Sequence, residues 1–181
     1  ALLDLSGANL TDADLSGANL TEATLLGANL TDARLSGACL SGALLDGAVL
    51  SGANLQRADV SRASFKGVNL TGAILTDATG EEARFERSDL VGVVANDAAL
   101  PRAHFVLCAC DGAELAGCDL SGATFQKTKL DEADLTGAKL DEATFDGCTL
   151  IEADLGGGVS ARGAVLDECD RTKLRAYEKG D

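Results

Sequence analysis

Residues 8–17 read A-N-L-T-D-A-D-L-S-G, one five-residue phrase written twice. Stepping outward by five from Leu10 and Leu15, the chain from Leu5 to Leu155 presents 31 centres, of which 22 are Leu and five are Phe; Val60, Gly80, Ala95 and Cys110 are the others. Two residues before each centre, from Ala8 to Ala153, lie 30 positions, 23 of them Ala, with Val68, Ser88, Val93, Cys108, Cys118, Thr128 and Cys148 as the rest. No insertion or deletion breaks this register. A period of five fits neither the helical 3.6 nor the strand alternation of 2, so each unit has to be read as a short piece followed by a corner.

In a strand, alternate residues share a face, so the Ala and the Leu point inward together and the residue between them points outward. Asn9, Asp14, Asn19 and Thr24 stand at such outward positions. The two residues after each centre carry turn chemistry (S-G, T-D, T-E), with Gly on the second of them in 16 of 31 units, where a positive φ is convenient. The five Phe fall at 65, 85, 105, 125 and 145, a spacing of 20 that stacks them in one column only if four units make one coil. The expected object is all-β: a four-sided parallel β-helix of nearly eight coils, about 4.8 Å apart, spanning residues 1–158. Its core is a ladder of Leu and Phe, each contributing about 1.5 to 3 kcal/mol on burial, and the Ala column is small because the square section leaves no room for a second large side chain.

The chain has 181 residues, 15 basic against 29 acidic, for a net charge of −14. That balance argues against direct nucleic-acid binding. No apolar run approaches the 18 residues of a membrane span, and no basic and apolar leader opens the chain, so a soluble acidic protein is expected. Ala1 already lies inside the repeat with no Met before it, which points to a processed or shortened start.

The phrases A-N-L-T-D (8–12), A-D-L-S-G (13–17), A-N-L-T-E (18–22) and A-D-L-T-G (133–137) resemble the A-(D/N)-L-x-x unit of the pentapeptide-repeat family. The resemblance implies a right-handed quadrilateral parallel β-helix. It also implies a choice of roles: family members include DNA-mimicking proteins that protect gyrase, thylakoid-lumen proteins and cyanobacterial regulators.

Chemistry is sparse. A closed apolar interior offers no convergent cleft, so no enzyme, cofactor or metal is expected. His104, the sole His, stands outward above Arg84. Of six Cys, none forms a C-x-x-C pair; Cys108, Cys110, Cys118 and Cys148 take inward slots, and Cys39 faces outward. Cys108 and Cys148 lie two coils apart, roughly 9.6 Å, too far for a disulfide. Cys148 and Cys169 become coil neighbours, and candidates for a terminal disulfide, if the chain slips by one residue near Gly156–Ser160.

Two surfaces stand out. Asp111, Glu114, Asp131, Glu132, Asp134, Glu152 and Asp154 gather into an acidic edge, either a solvated face or an offer to a cationic partner. In the irregular middle, Ile74, Val91, Val94, Val106 and Leu107 put apolar side chains on outward or corner positions and form a candidate partner surface, in a stretch made locally basic by Arg57, Arg62, Lys66, Arg84, Arg87 and Arg102. Residues 159–181 abandon the period. Leu166, Cys169, Leu174 and Tyr177 at roughly helical spacing predict a short C-terminal helix, in which Leu174 and Tyr177 cap the solenoid end or support an end-to-end dimer. The function expected is non-catalytic: an interaction module or structural subunit docked on a larger protein assembly, compatible with a thylakoid-lumen or photosystem-associated setting. The alternative is a DNA mimic that binds a type II topoisomerase.

Overall fold

The computed structural model describes residues 3–175. Each unit forms one side of a coil: Leu5 N–H donates to the Thr24 carbonyl (2.7 Å) and Thr24 N–H to the Leu3 carbonyl (2.9 Å), pairing residues 4 and 24 in parallel. The offset is 20 at every pairing up to Asp134↔Asp154, so four units close one coil. Wall 1 carries outward residues Asp4, Thr24, Leu44 and onward; walls 2, 3 and 4 begin at Asn9, Asp14 and Asn19. On wall 1 the pairing is extensive enough to make six strands, β1 (Ser64–Lys66), β2 (Arg84–Glu86), β3 (His104–Val106), β4 (Thr124–Gln126), β5 (Thr144–Asp146) and β6 (Val165–Asp167), in one parallel sheet ordered as in the chain.

The corners explain the remaining letters of the repeat. Ala8 N–H closes a turn on the Leu5 carbonyl at 3.0 Å, and the second turn residue takes a positive φ, 65° at Gly7 and 56° at Asp12. The Asn or Asp of each unit accepts the N–H two residues on, as Asn9 Oδ1 does from Thr11 (3.2 Å) and Asp14 Oδ1 from Ser16 (3.1 Å). Inside, the Leu and Ala columns are buried, and the Phe rings of β1 to β5 stack at 4.6 to 4.9 Å between centroids.

The Phe corners depart from this scheme in one respect. At Leu45 the turn closes normally, Ala48 N–H donating to the Leu45 carbonyl at 2.9 Å, but after Phe65 the Val68 N–H donates to Ser88 Oγ (3.2 Å) and that hydroxyl donates to the Phe65 carbonyl. A side chain from the next coil thus takes the Phe carbonyl that a turn N–H takes after Leu, and after Phe65 and Phe105 it accepts the turn N–H as well. Ser88, Cys108, Thr128, Cys148 and Cys169 serve Phe65, Phe85, Phe105, Phe125 and Phe145 in turn.

The end of the chain corrects one expectation. No helix occurs among the described residues; residues 159–175 continue the solenoid. Gly156–Gly158 absorb one extra residue, after which the offset is 21: Lys139↔Ser160, Thr149↔Asp170, Asp154↔Arg175. The phrases A-V-L-D-E (164–168) and C-D-R-T-K (169–173) are further repeat units. A ready ladder of backbone partners on the coil below outweighs the marginal stability of an isolated short helix. Tyr177 and the rest of residues 176–181 lie outside the described residues.

Candidate functional site

Ion pairs along the walls set the background. Asp14–Arg34 (3.0 Å), Arg57–Asp77 (3.6 Å), Arg62–Glu82 (3.5 Å), Lys66–Glu86 (3.7 Å), Asp119–Lys139 (3.6 Å), Asp141–Arg162 (3.1 Å) and Glu152–Lys173 (2.7 Å) each join one coil to the next. Opposite charges on neighbouring coils are therefore the habit of this sequence, although each exposed pair contributes only about 0 to 1 kcal/mol.

The later coils of wall 3 break the habit, although Asp14 and Arg34 keep it at the start of the same wall. Glu114, Asp134 and Asp154 stand directly one above another in the ladder, with no cation between them, until Arg175 ends the column. Asp111, Asp131, Glu132 and Glu152 flank them on the corner between walls 2 and 3. Part of this carboxylate set serves the backbone. Asp134 and Asp154 accept the N–H of Thr136 and Gly156 (both 2.9 Å), and Asp111 and Asp131 accept those of Asp131 (3.2 Å) and Ile151 (2.9 Å) one coil on. Glu114 accepts from Asn96 Nδ2 at 3.2 Å, and the Lys173 ammonium holds the Glu152 carboxyl below its usual range. A charge is not needed for the capping role, because Asn29, Asn54 and Asn69 perform it at 3.1, 3.0 and 2.9 Å.

The apolar residues singled out from the sequence fall in two places. Ile74 and Val94 are paired neighbours on wall 3, and Val94 is in turn paired with Glu114. With Val91 on the adjoining corner, they make the apolar continuation of the acidic column, so wall 3 reads Ile74, Val94, Glu114, Asp134, Asp154 down the rod. Val106 and Leu107 sit on the corner between walls 1 and 2, at the far edge of wall 2. Leu107 is 45% exposed with φ 56°, alone in being apolar among the described non-glycine residues at positive φ. Sequence reasoning passed over Leu26 and Leu44, both exposed; the apolar middle letter of A-L-L-D-G (43–47) was the available signal for Leu44.

Among the described residues the buried titratable groups are thiols, Cys108, Cys110, Cys118 and Cys148. Burial pushes the Cys118 thiol up to about 12, the Cys148 thiol up to about 11, and Cys108 and Cys110 upward as well. Cys118 donates to the Ala95 carbonyl at 2.8 Å. Cys148 and Cys169 are coil neighbours through the Thr149↔Asp170 pairing, and both are free thiols donating to carbonyls. Cys39 is exposed, and His104 Nδ1 lies 2.8 Å from Thr124 Oγ1 on wall 1. Where Ala95 and Cys110 replace Leu, a void of about 20 Å³ remains between Leu90, Leu115 and Phe105. Gly80 leaves none, because a Cβ there would meet Leu100 Cδ2 at 2.5 Å. Among the described residues no group of three His, Cys, Asp or Glu is placed to hold a metal ion, and no helix is long and apolar enough to cross a membrane.

Comparison with known proteins agrees with this geometry. The family model described as pentapeptide repeats, in eight copies, matches residues 4–42, 28–67 and 43–79, and that of the pentapeptide repeat region matches 81–155. No curated protein sequence matches the chain. Among solved structures, HetL, a pentapeptide repeat protein involved in heterocyst differentiation regulation from the cyanobacterium Nostoc sp. strain PCC 7120, is 28% identical over 91% of this chain and 87% of its own, with a TM-score of 0.49. Full-length QnrB1, a plasmid-mediated fluoroquinolone resistance protein, is 22% identical over 91% and 83%, TM-score 0.46. AT2G44920, from the Arabidopsis thaliana thylakoid lumen, is 22% identical over 74% and 68%, TM-score 0.28. With its repeat matched from residue 4 to residue 155 and its four-sided parallel solenoid, the chain belongs to the pentapeptide-repeat family.

Proposed function

We propose that the protein is a non-catalytic docking module whose working surface is wall 3. Its partner is a protein segment that sets apolar side chains on Ile74 and Val94 and Lys or Arg side chains along Glu114, Asp134 and Asp154. The observation that supports this most is the same-sign column itself. Like charges directly opposed on neighbouring strands are destabilising, and the ion pairs elsewhere on the rod show how readily the repeat accommodates an alternating pattern. A local rule broken without a structural return is the mark of a surface kept for binding. The adjoining apolar coils supply the desolvating part of an interface and the carboxylates its steering and register. Docking on a photosynthetic or lumenal assembly is the setting this reading extends to.

The test is affinity capture from the native source with three variants. Val94→Glu and the triple change Glu114→Gln, Asp134→Asn, Asp154→Asn should both lose the same partner, while Leu107→Glu, on a different edge, should keep it. A partner retained by the first two removes wall 3 from consideration. The alternative, a DNA mimic acting on a type II topoisomerase, draws on the same carboxylates and is examined by gyrase supercoiling with parent protein and with Asp131→Asn, Glu132→Gln, Asp134→Asn. Absence of any effect by the parent retires it.

A further inference from the structure

One interior column is written in sulfur and hydroxyl groups. Its inward slots leading into wall 2, one per coil, hold Val68, Ser88, Cys108, Thr128, Cys148 and Cys169, the last displaced by the extra residue at Gly156–Gly158. Thr128 separates Cys108 from Cys148, but Cys148 and Cys169 are consecutive: Asp170 N–H donates to the Cys148 carbonyl at 3.0 Å, and Thr149 pairs with Asp170 in parallel. One step of such a ladder is about 4.8 Å, inside the roughly 4.4 to 6.8 Å that a disulfide spans between Cα atoms. Both sulfurs point the same way down the column, Cys148 Sγ lying 3.3 Å from the Phe125 carbonyl and Cys169 Sγ 3.6 Å from that of Phe145. Burial pushes the Cys148 thiol up to about 11, and the adjacent Cys169 side chain adds to the rise.

We propose that Cys148 and Cys169 form a thiol–disulfide modification site, at which a small disulfide oxidant creates a cross-link that fastens the coil beyond Gly156–Gly158 to the coil before it. Cys169 is half-buried and Cys148 only 1% exposed, so the oxidant meets Cys169 first. With oxidised glutathione, the Cys169 thiolate attacks one sulfur, forming a mixed disulfide and releasing one glutathione thiolate. Cys148, deprotonated in turn, attacks Cys169 Sγ and expels the second. The protein is oxidised by two electrons, and each departing glutathione thiolate takes up one of the two thiol protons. The bond gives up two S–H donors to Phe carbonyls, which are weak ones, and this favours a link that forms and is reversed by reductant. The coil it fastens is the less firmly packed: Leu166 and Leu174 are partly buried there, whereas Phe145 and Leu150 one coil earlier are buried. Closing the loop between residues 148 and 169 restricts that coil's detachment. The site is independent of whether wall 3 binds a partner.

The test uses the full chain with the exposed Cys39 changed to Ser, which leaves five thiols. Incubated with oxidised glutathione at pH 8 and then denatured, it should offer three thiols to N-ethylmaleimide, carry no glutathione, and yield a peptide pair linked through Cys148 and Cys169. Dithiothreitol should restore all five. The oxidised protein should unfold at higher urea than the reduced one, and Cys169→Ser, which keeps a donor toward the Phe145 carbonyl, should abolish that difference. Five reactive thiols after oxidation, a glutathione adduct that persists, a link between any other pair, or an unchanged urea midpoint each overturn the proposal.

Discussion

Thr128 Oγ1 donates a 3.0 Å hydrogen bond to the carbonyl of Phe105 on the preceding coil and lies 3.4 Å from the Cys108 N–H that it accepts. The hydroxyl does the work that a closed turn does after Leu. Thr128→Val keeps the shape, removes the donor, and leaves a buried carbonyl and N–H unsatisfied, so it should cost about 1 to 3 kcal/mol in urea unfolding, with Thr128→Ser closer to the parent. Combining Phe105→Leu with Thr128→Ala should cost less than the sum of the two, because a Leu corner closes its own turn. Strict additivity would show that ring and hydroxyl are unrelated.

Much of the fold was readable because one period governs walls, corners and core alike. The partnership of Phe105 with Thr128 was not, since it joins a side chain to a backbone group on another coil and neither letter alone announces it. The last coil was misread for a related reason: Cys169 and Arg171 stand where Ala and Leu are expected, and with the repeat letters disguised, the spacing of Leu166, Cys169 and Leu174 resembled a helix. At the candidate site the acidic and apolar residues were each visible, yet their union on wall 3 depends on pairings such as Val94↔Glu114, between residues 20 apart that do not look like neighbours in the sequence.

The void beside Ala95 and Cys110 predicts a stabilising substitution. Cys110→Leu restores the column between Leu90 and Leu130, exchanges empty space for contacts, and should gain about 1 kcal/mol. A lower thermal midpoint would mean that the surrounding side chains have already collapsed onto the site.

Leu107 holds a left-handed conformation that costs an L-residue about 1 to 2 kcal/mol. Leu107→Gly removes that cost and adds back part of it as chain entropy, for a net gain of about 0.5 to 1 kcal/mol by thermal melting. A loss would show that the exposed side chain contributes packing of its own.

The buried thiols set the alkaline limit. Burial raises Cys108, Cys110, Cys118 (to about 12) and Cys148 (to about 11), so above pH 9 the unfolded chain releases thiol protons that the native state retains. The native state then binds more protons than the unfolded, and stability falls as pH rises from about 9 to 11. Replacing all four by Ala should flatten that limb of the unfolding profile, and at pH 8 a disulfide reagent should titrate the exposed Cys39 well ahead of them.

The stacked carboxylates of wall 3 are tested most directly by the unfolding free energy of the Glu114→Gln, Asp134→Asn, Asp154→Asn variant at low salt. Amides preserve the capping of Thr136 and Gly156 while ending the repulsion, so the variant should be more stable than the parent by about 0.5 to 2 kcal/mol, with the gain shrinking at 1 M salt. A less stable variant would contradict this, showing that those charges hold the solenoid together and are not kept for a partner.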